Sequence, residues 1–153
     1  MRSNVEITRT PSSASQVTDR YQFIGVTGSP YSVKMRALMR YRRLPFDWIV
    51  RFPQLEANPP AVRPLVVPIL RFPEDGSYHV DSTPLAHALE ARHPGQRSVI
   101  PDDPALAFLG DLIEDLADEW VTKMMFHYRW SYSEDAEYCR LWIASDMRPD
   151  GGA

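Results

Sequence analysis

Two serines, Ser29 and Ser32, flank Pro30 and Tyr31 at the point where an apolar run ends and a helical pattern begins. A hydroxyl at the first turn of a helix lies beside backbone N–H groups that have no partner within the helix, and beside the positive end of the helix dipole. Such a junction can hold an anion, and proline is tolerated there. The spacing alone favours a helix cap without a ligand, so a purely structural role for Ser29 stays open, and Ser32 is interpreted as structural.

The elements around this junction follow a strand, helix, strand order. Residues 21–26 are rich in β-forming apolar side chains, and a helical pattern then runs to about residue 41 through Val33, Ala37, Leu38 and Tyr41. After a break at Pro45, residues 46–50 read as a second strand. A strand, helix, strand unit of this length predicts a right-handed crossover and a parallel strand pair.

Two more strands and a second helix complete the predicted layer. Residues 51–66 are rich in proline and are predicted to be a loop with at most a short helix, followed by a strand over 66–72. The Asp75-Gly76 pair predicts a hairpin turn that returns residues 78–80 antiparallel. Asp81 and Ser82 then cap a helix that runs to about residue 91. The predicted fold class is α/β with a four-stranded mixed sheet.

From Pro104 onward the pattern is helical. A first helix over about 104–126 carries an apolar stripe and an opposite acidic face, which is predicted to be solvated, and a second helix starts at Ser133. The stripe consists of Leu109, Leu112, Ile113, Leu116, Trp120, Val121 and Met124. Two helices cannot close a core, so they must pack on the α/β layer, on a partner chain, or on helices that this sequence does not contain.

Composition narrows the class of protein. The 153 residues are 44% hydrophobic and 24% charged with a net charge of -3, which is typical of a folded globular protein and gives no basis for a nucleic-acid partner. The single cysteine, Cys139, allows no internal disulfide, and the histidines have no metal-ligand spacing, so no metal is expected. Residues 1–20 are predicted to be a flexible leader, no run is long enough to cross a membrane, and the expected location is the cytoplasm.

The order of elements and three motifs together resemble the cytosolic glutathione S-transferase family. The motifs are Ser29-Pro30-Tyr31-Ser32 after the first strand, Val67-Pro68 before the third, and Asp81-Ser82 at the start of the second helix. The resemblance implies a thioredoxin-like glutathione-binding domain over 21–96, a linker over 97–103, and the start of an all-helical domain over 104–153. It also implies glutathione as co-substrate.

The resemblance assigns roles to individual residues. Ser29 would donate a hydrogen bond to the glutathione sulfur and so favour the thiolate, which is the nucleophile. Val67, before a cis-proline at Pro68, would pair with the cysteinyl backbone. Asp81 would bind the γ-glutamyl ammonium group, and Ser82 its carboxylate.

The sequence also departs from the family pattern before Val67, where residues 58–66 lack the usual basic residue next to a glycine. Arg63 is the nearest candidate for the glycyl carboxylate. Tyr31, Trp120 and Met124 could line a pocket for a small apolar electrophile, although such stripes are more often core. The helical region is short for the family, so the chain is either a fragment or has an incomplete pocket. A non-catalytic binding or assembly module, and a homodimer, both stay open.

Overall fold

A computed structural model of the protein describes residues 19–51, 62–95 and 97–147. Most of the predicted leader, residues 52–61 of the predicted proline-rich loop, and residues 148–153 at the end of the predicted helical domain lie outside these ranges. The division into domains at residues 20, 96 and 103 stays a prediction.

The predicted four-stranded mixed sheet is confirmed. Its strands are β1 (Tyr21–Gly25), β2 (Phe46–Val50), β3 (Ile69–Arg71) and β4 (Tyr78–Val80). They lie in the order β2-β1-β3-β4, with β1 parallel to β2, and with β3 antiparallel to both β1 and β4. The third strand is shorter than the predicted 66–72, because the chain becomes extended and paired only after Pro68.

Two helices pack on one face of this sheet and bury the main core. They are α1 (Pro30–Tyr41) and α2 (Ser82–Arg92). The core consists of Tyr21, Phe23, Met35, Met39, Leu70, Phe72, Leu85 and Leu89. The predicted apolar face of α1 was partly wrong, because the helix buries Ser32, Met35 and Met39 whereas Val33 and Tyr41 are exposed. The two methionines fill the sheet contact in place of the branched and aromatic side chains.

The helical region is longer and less regular than predicted. It comprises α3 (Pro104–Leu116), a π-helical segment (Ala117–Val121), α4 (Thr122–Trp130) and α5 (Ser133–Asp146). Asp103 begins α3 by accepting hydrogen bonds from the amides of Ala105 at 2.9 Å and Leu106 at 3.0 Å. Within the ranges that the structure describes, none of the helices is long and apolar enough to cross a bilayer.

Part of the acidic face of α3 packs inward, whereas the apolar stripe of this helix is exposed. The side chains of Leu112 and Ile113 are exposed, whereas Glu114 on the acidic face forms an ion pair with Lys34 of α1. The interpretation of the acidic face as solvated was therefore wrong for Glu114, and also for Asp118 in the π-helical segment, which contacts the same lysine. A cation on α1 offers these carboxylates a partner that periodicity in α3 could not reveal.

Candidate functional site

The larger of two clefts lies between the sheet layer and the helical region, and its volume is about 530 Å³. One side is formed by the segment that leads into β3 and by the start of α2, including Val67, Pro68, Asp81 and Ser82. The other side is formed by the acidic face of the helical region, from Glu114 to Glu119. The structure therefore brings together four of the residues that the sequence predicted to bind a tripeptide.

The turn into β3 has the predicted backbone form. The Val67-Pro68 peptide bond is cis, as is the Arg63-Pro64 bond. Pro68 is buried beneath the cleft, and Val67 lies on its lining. Arg63 is exposed and donates a hydrogen bond to the carbonyl of Val62 at 2.9 Å, and it does not line the cleft.

Asp81 and Ser82 begin α2 at the edge of the cleft. Asp81 is exposed, adopts a φ of 76°, and accepts a hydrogen bond from the Thr83 amide at 3.3 Å. A positive φ is uncommon for any residue with a side chain and is enriched in aspartate and asparagine. Ser82 is buried at the same helix end, so a carboxylate and a hydroxyl lie side by side at the start of α2. This pairing suits a ligand that carries both an ammonium and a carboxylate group.

Lys34 joins the two sides of the cleft and was missed by the sequence analysis. Its ammonium group donates to Ser82 Oγ at 3.2 Å and to Asp118 Oδ2 at 2.7 Å, and it also contacts Glu114. Burial lowers the pKa of Lys34, but hydrogen bonds and charge from Asp118 and Glu114 outweigh burial and raise the pKa above 10.5. Burial raises the pKa of Glu114, yet its bonds to Lys34 and Thr83 bring the pKa below 4.5.

These shifts predict how stability depends on pH. The folded-state pKa of Glu114 is depressed, so its contribution is complete above 4.5 and is lost as the pH falls through the folded-state value. The raised pKa of Lys34 makes its contribution complete below 10.5 and lost at higher pH. We expect the denaturation midpoint to fall less steeply from about pH 7 to about pH 3 in Glu114→Gln than in the wild type. An identical slope in both proteins would contradict a role for this carboxylate.

Ser29 lies on a second, smaller cleft of about 250 Å³. Its hydroxyl oxygen accepts a hydrogen bond from the Ser32 amide at 3.2 Å, so Ser29 is the N-cap of α1. Acting as an acceptor leaves the hydroxyl proton free to be donated. The Ser29 oxygen therefore caps the helix as an acceptor, and the hydroxyl proton stays available for the predicted hydrogen bond to sulfur.

The second cleft is mainly apolar. Its walls come from the turn before α1 and from α4 and α5 of the helical region. Pro30, Met125, Phe126 and Ile143 supply apolar surface, and Arg129 and Asp146 are the charged residues on the lining. Apolar walls with few charged groups are typical of small-molecule sites.

Tyr31 separates the two clefts and lines both. Its hydroxyl donates a hydrogen bond to the backbone carbonyl of Asp118 at 3.0 Å. That carbonyl belongs to the π-helical segment, and such segments occur frequently at functional sites. The role of Tyr31 in an electrophile pocket stays a prediction.

Trp120 and Met124 lie outside the lining of both clefts. Their side chains are 59% and 56% exposed, and Trp120 packs beneath the Lys123 ammonium group at 4.6 Å. The neighbouring Met125 and Phe126 lie on the second cleft in their place. No group of three or more His, Cys, Asp or Glu side chains suited to a metal ion is found among residues 19–51, 62–95 and 97–147.

The turn before Ser29 is bonded to the helical region by two charged side chains that the sequence did not single out. Asp146, the last residue of α5, accepts hydrogen bonds through Oδ2 from the Thr27 amide at 2.7 Å, the Thr27 hydroxyl at 2.8 Å and the Gly28 amide at 3.4 Å. Arg129 donates to the Gly28 carbonyl at 2.9 Å. A contact over more than a hundred residues of sequence leaves no local signal.

Comparison with known proteins gives a consistent family. Residues 23–97 match the family model of the glutathione S-transferase N-terminal domain. No curated protein matches the chain in a sequence comparison. A crystal structure of a glutathione S-transferase from Methylobacterium radiotolerans in complex with glutathione sulfonate is 26% identical with a TM-score of 0.62, over 87% of this chain and 63% of that chain.

Two further structures share the fold. A glutathione transferase homolog from Sulfitobacter with bound glutathione is 20% identical with a TM-score of 0.60, over 85% of this chain and 66% of that chain. A Tau class glutathione S-transferase from mango is 15% identical with a TM-score of 0.58, over 82% and 58% of the respective chains. The chain thus spans less than two thirds of the length of these structures.

The fold and the family model agree with the sequence motifs. A thioredoxin-like layer followed by a helical region is confirmed by structures that share both parts. Residues 23–97 belong to the glutathione S-transferase N-terminal domain family, and the chain as a whole is similar to glutathione S-transferases of known structure.

Proposed function

We propose that the protein binds glutathione in the larger cleft and that Ser29 activates its thiol for reaction with a small apolar electrophile held in the second cleft. The position of Tyr31 carries the proposal, because this side chain lines both clefts and lies two residues from Ser29. A thiol that enters from the larger cleft can meet a carbon atom in the second cleft beside that hydroxyl.

Glutathione binding follows from the chemistry of the larger cleft. The γ-glutamyl ammonium group would bind the exposed carboxylate of Asp81, and its carboxylate would bind the Ser82 hydroxyl beside the Lys34 ammonium group, which already contacts it. The backbone of Val67 would pair with the cysteinyl unit in extended form. Structures that contain glutathione or its sulfonate and share this fold support the assignment.

Thiol activation follows from the position of Ser29. A free thiol with a pKa near 8.5 is mostly protonated at neutral pH, so a donated hydrogen bond is needed to favour the thiolate. The thiol proton leaves to solvent, the sulfur forms a bond to the electrophilic carbon, and any leaving group departs with its electron pair. Serine cannot form a mixed disulfide, so thiol exchange at this position is disfavoured.

The test combines binding with turnover. Full-length protein is titrated with glutathione by calorimetry, and conjugation of an aromatic electrophile with a leaving group is then followed by absorbance. Micromolar to millimolar binding with saturable turnover supports the proposal. Absence of glutathione binding would overturn it.

Met125 and Met124 offer a matched test of the electrophile pocket. Met125 lines the second cleft, whereas Met124 is largely exposed, so Met125→Ala is expected to raise KM for the electrophile about threefold to tenfold through lost apolar contact. Met124→Ala is expected to leave KM unchanged, and neither variant should alter glutathione affinity. Equal effects of both variants, or an effect of Met124→Ala alone, would contradict the assignment and favour the stripe that contains Trp120.

A non-catalytic binding module is the second candidate. It is favoured by the hydrogen bond from the Ser32 amide to Ser29 Oγ, because a serine that serves only as a helix cap makes the same contact. Glutathione binding without turnover of any electrophile would support this candidate.

We further propose a cytoplasmic location, in keeping with the buried free Cys139, and self-association through the exposed apolar side chains of α3.

A further inference from the structure

The residue before Ser29 is held by charged side chains at both of its polar backbone atoms. The Gly28 amide donates to Asp146 Oδ2 at 3.4 Å, and the Gly28 carbonyl accepts from Arg129 Nη1 at 2.9 Å. Asp146 is the end of α5, and Arg129 is on α4. Two separate helices therefore hold the two successive peptide units that meet at Gly28, Thr27–Gly28 through its N–H and Gly28–Ser29 through its carbonyl.

Thr27 strengthens the same contact. Its amide and its hydroxyl donate to the same Asp146 oxygen at 2.7 Å and 2.8 Å. Asp146 is 4% exposed, and a carboxylate buried to this extent requires hydrogen-bond donors. Three donors to its Oδ2 come from this turn, and hydrogen bonds to a charged group are the stronger class.

The hydrogen bonds from Thr27 and Gly28 to Asp146 help to fix the position of Ser29. The Ser29 amide donates to the Val26 carbonyl at 3.2 Å, which closes a tight turn whose two central residues, Thr27 and Gly28, are those held by Asp146. Movement of that turn displaces the Ser29 hydroxyl, and a displacement of about 1 Å in a reacting group can cost on the order of 100-fold in rate. Tripeptide binding depends on other residues, because Val67, Asp81 and Ser82 lie on the larger cleft.

We propose that Asp146, with Arg129, is a positioning residue for Ser29, so that the helical region sets the geometry of thiol activation in the other layer. This inference rests on the proposed function. It predicts that loss of Asp146 impairs the thiolate rather than glutathione binding. Titratable or charged side chains on the lining of this cleft are Tyr31, Arg129 and Asp146.

The test uses Asp146→Ala, Asp146→Asn and Ser29→Ala in the full chain, with thiolate absorbance of bound glutathione followed against pH. We expect Asp146→Ala to lower kcat/KM about 10-fold to 100-fold and to raise the pKa of the bound thiol by about one unit, which is a tenfold change in thiolate equilibrium. At a pH below the pKa of the bound thiol, where glutathione is bound as the thiol, its dissociation constant should change less than about threefold. Asp146→Asn keeps an acceptor oxygen, and it should retain most of the activity and a thiol pKa close to that of the wild type.

A double-mutant cycle separates positioning from stability. If Asp146 acts through Ser29, adding Asp146→Ala to Ser29→Ala causes little further loss. Full additivity, or lower thermal stability with an unchanged thiol pKa in Asp146→Ala, would overturn the inference. Failure of the proposed function is recognised separately and needs no variant. In that case the wild-type protein binds no glutathione, or it does not lower the pKa of the glutathione thiol.

Discussion

Ser29→Ala is expected to lower kcat/KM for glutathione conjugation by about 100-fold to 1,000-fold, because one preorganised donor to a developing or resident anion has an effect of this size. The substitution removes the hydroxyl proton that would be donated to sulfur. The pKa of the bound thiol should rise toward that of free glutathione, and its pH–rate profile should shift in the same direction. The measurement is kcat/KM against pH with saturating electrophile.

Ser29→Thr provides the control, because threonine keeps both a hydroxyl and the ability to cap a helix. Its activity should stay within about tenfold of the wild type. Ser29→Ala also removes the cap on the Ser32 amide, which costs about 1 kcal/mol of the free energy of unfolding, so denaturation curves are needed to separate the two effects. Activity in Ser29→Ala equal to that of the wild type would leave Ser29 as a cap only.

Gly25→Ala is expected to destabilise the fold by about 1–3 kcal/mol through overpacking. A Cβ atom at Gly25 would lie 2.6 Å and 2.8 Å from two atoms of the Trp48 ring and 3.0 Å from Ser32 Oγ. The Trp48 ring has little freedom to move away, since it packs edge-on against Phe23 with 5.0 Å between centroids and lies beneath the Arg36 guanidinium. Urea denaturation monitored by circular dichroism gives the change in the free energy of unfolding.

Gly110→Ala is the control, because it makes the same substitution at a glycine with open space around it. A Cβ atom there meets no atom within 4 Å, and Gly110 lies inside α3. Alanine at such a helix position is expected to stabilise the protein by about 0.5–1 kcal/mol. Gly25→Ala should destabilise a Trp48→Leu background less than it destabilises the wild type, because the clashing ring atoms are absent there. Equal destabilisation of Gly25→Ala in both backgrounds would refute the steric explanation.

The strands and the start of each sheet-packing helix were predictable because their signals are local. A β-rich run before Ser29, an Asp75-Gly76 turn, and Asp81 before α2 each act within a few residues of their position. The cleft residues Val67, Pro68 and Ser82 were predicted from the resemblance to the family, whose motifs lie at these boundaries. Lys34 and Asp146 were not predictable, because each one acts through partners from distant segments.

The position of Trp120 and Met124 outside the second cleft has a geometric cause. The apolar stripe was projected from Leu116 to Trp120 and Met124 with the periodicity of an α-helix. The segment Ala117–Val121 is π-helical, and a π turn accommodates an extra residue. Every later side chain is therefore rotated relative to the projection, and Met125 lies on the cleft in place of Met124.

The shared wall at Tyr31 has a thermodynamic consequence. Because one side chain faces both clefts and is tied to the Asp118 carbonyl, a ligand that shifts it in one cleft changes the shape offered to a ligand in the other. Linkage then requires reciprocity: whatever factor glutathione imposes on the affinity for an electrophile, the electrophile must impose on the affinity for glutathione. The product of the two binding constants is therefore the same whichever ligand binds first.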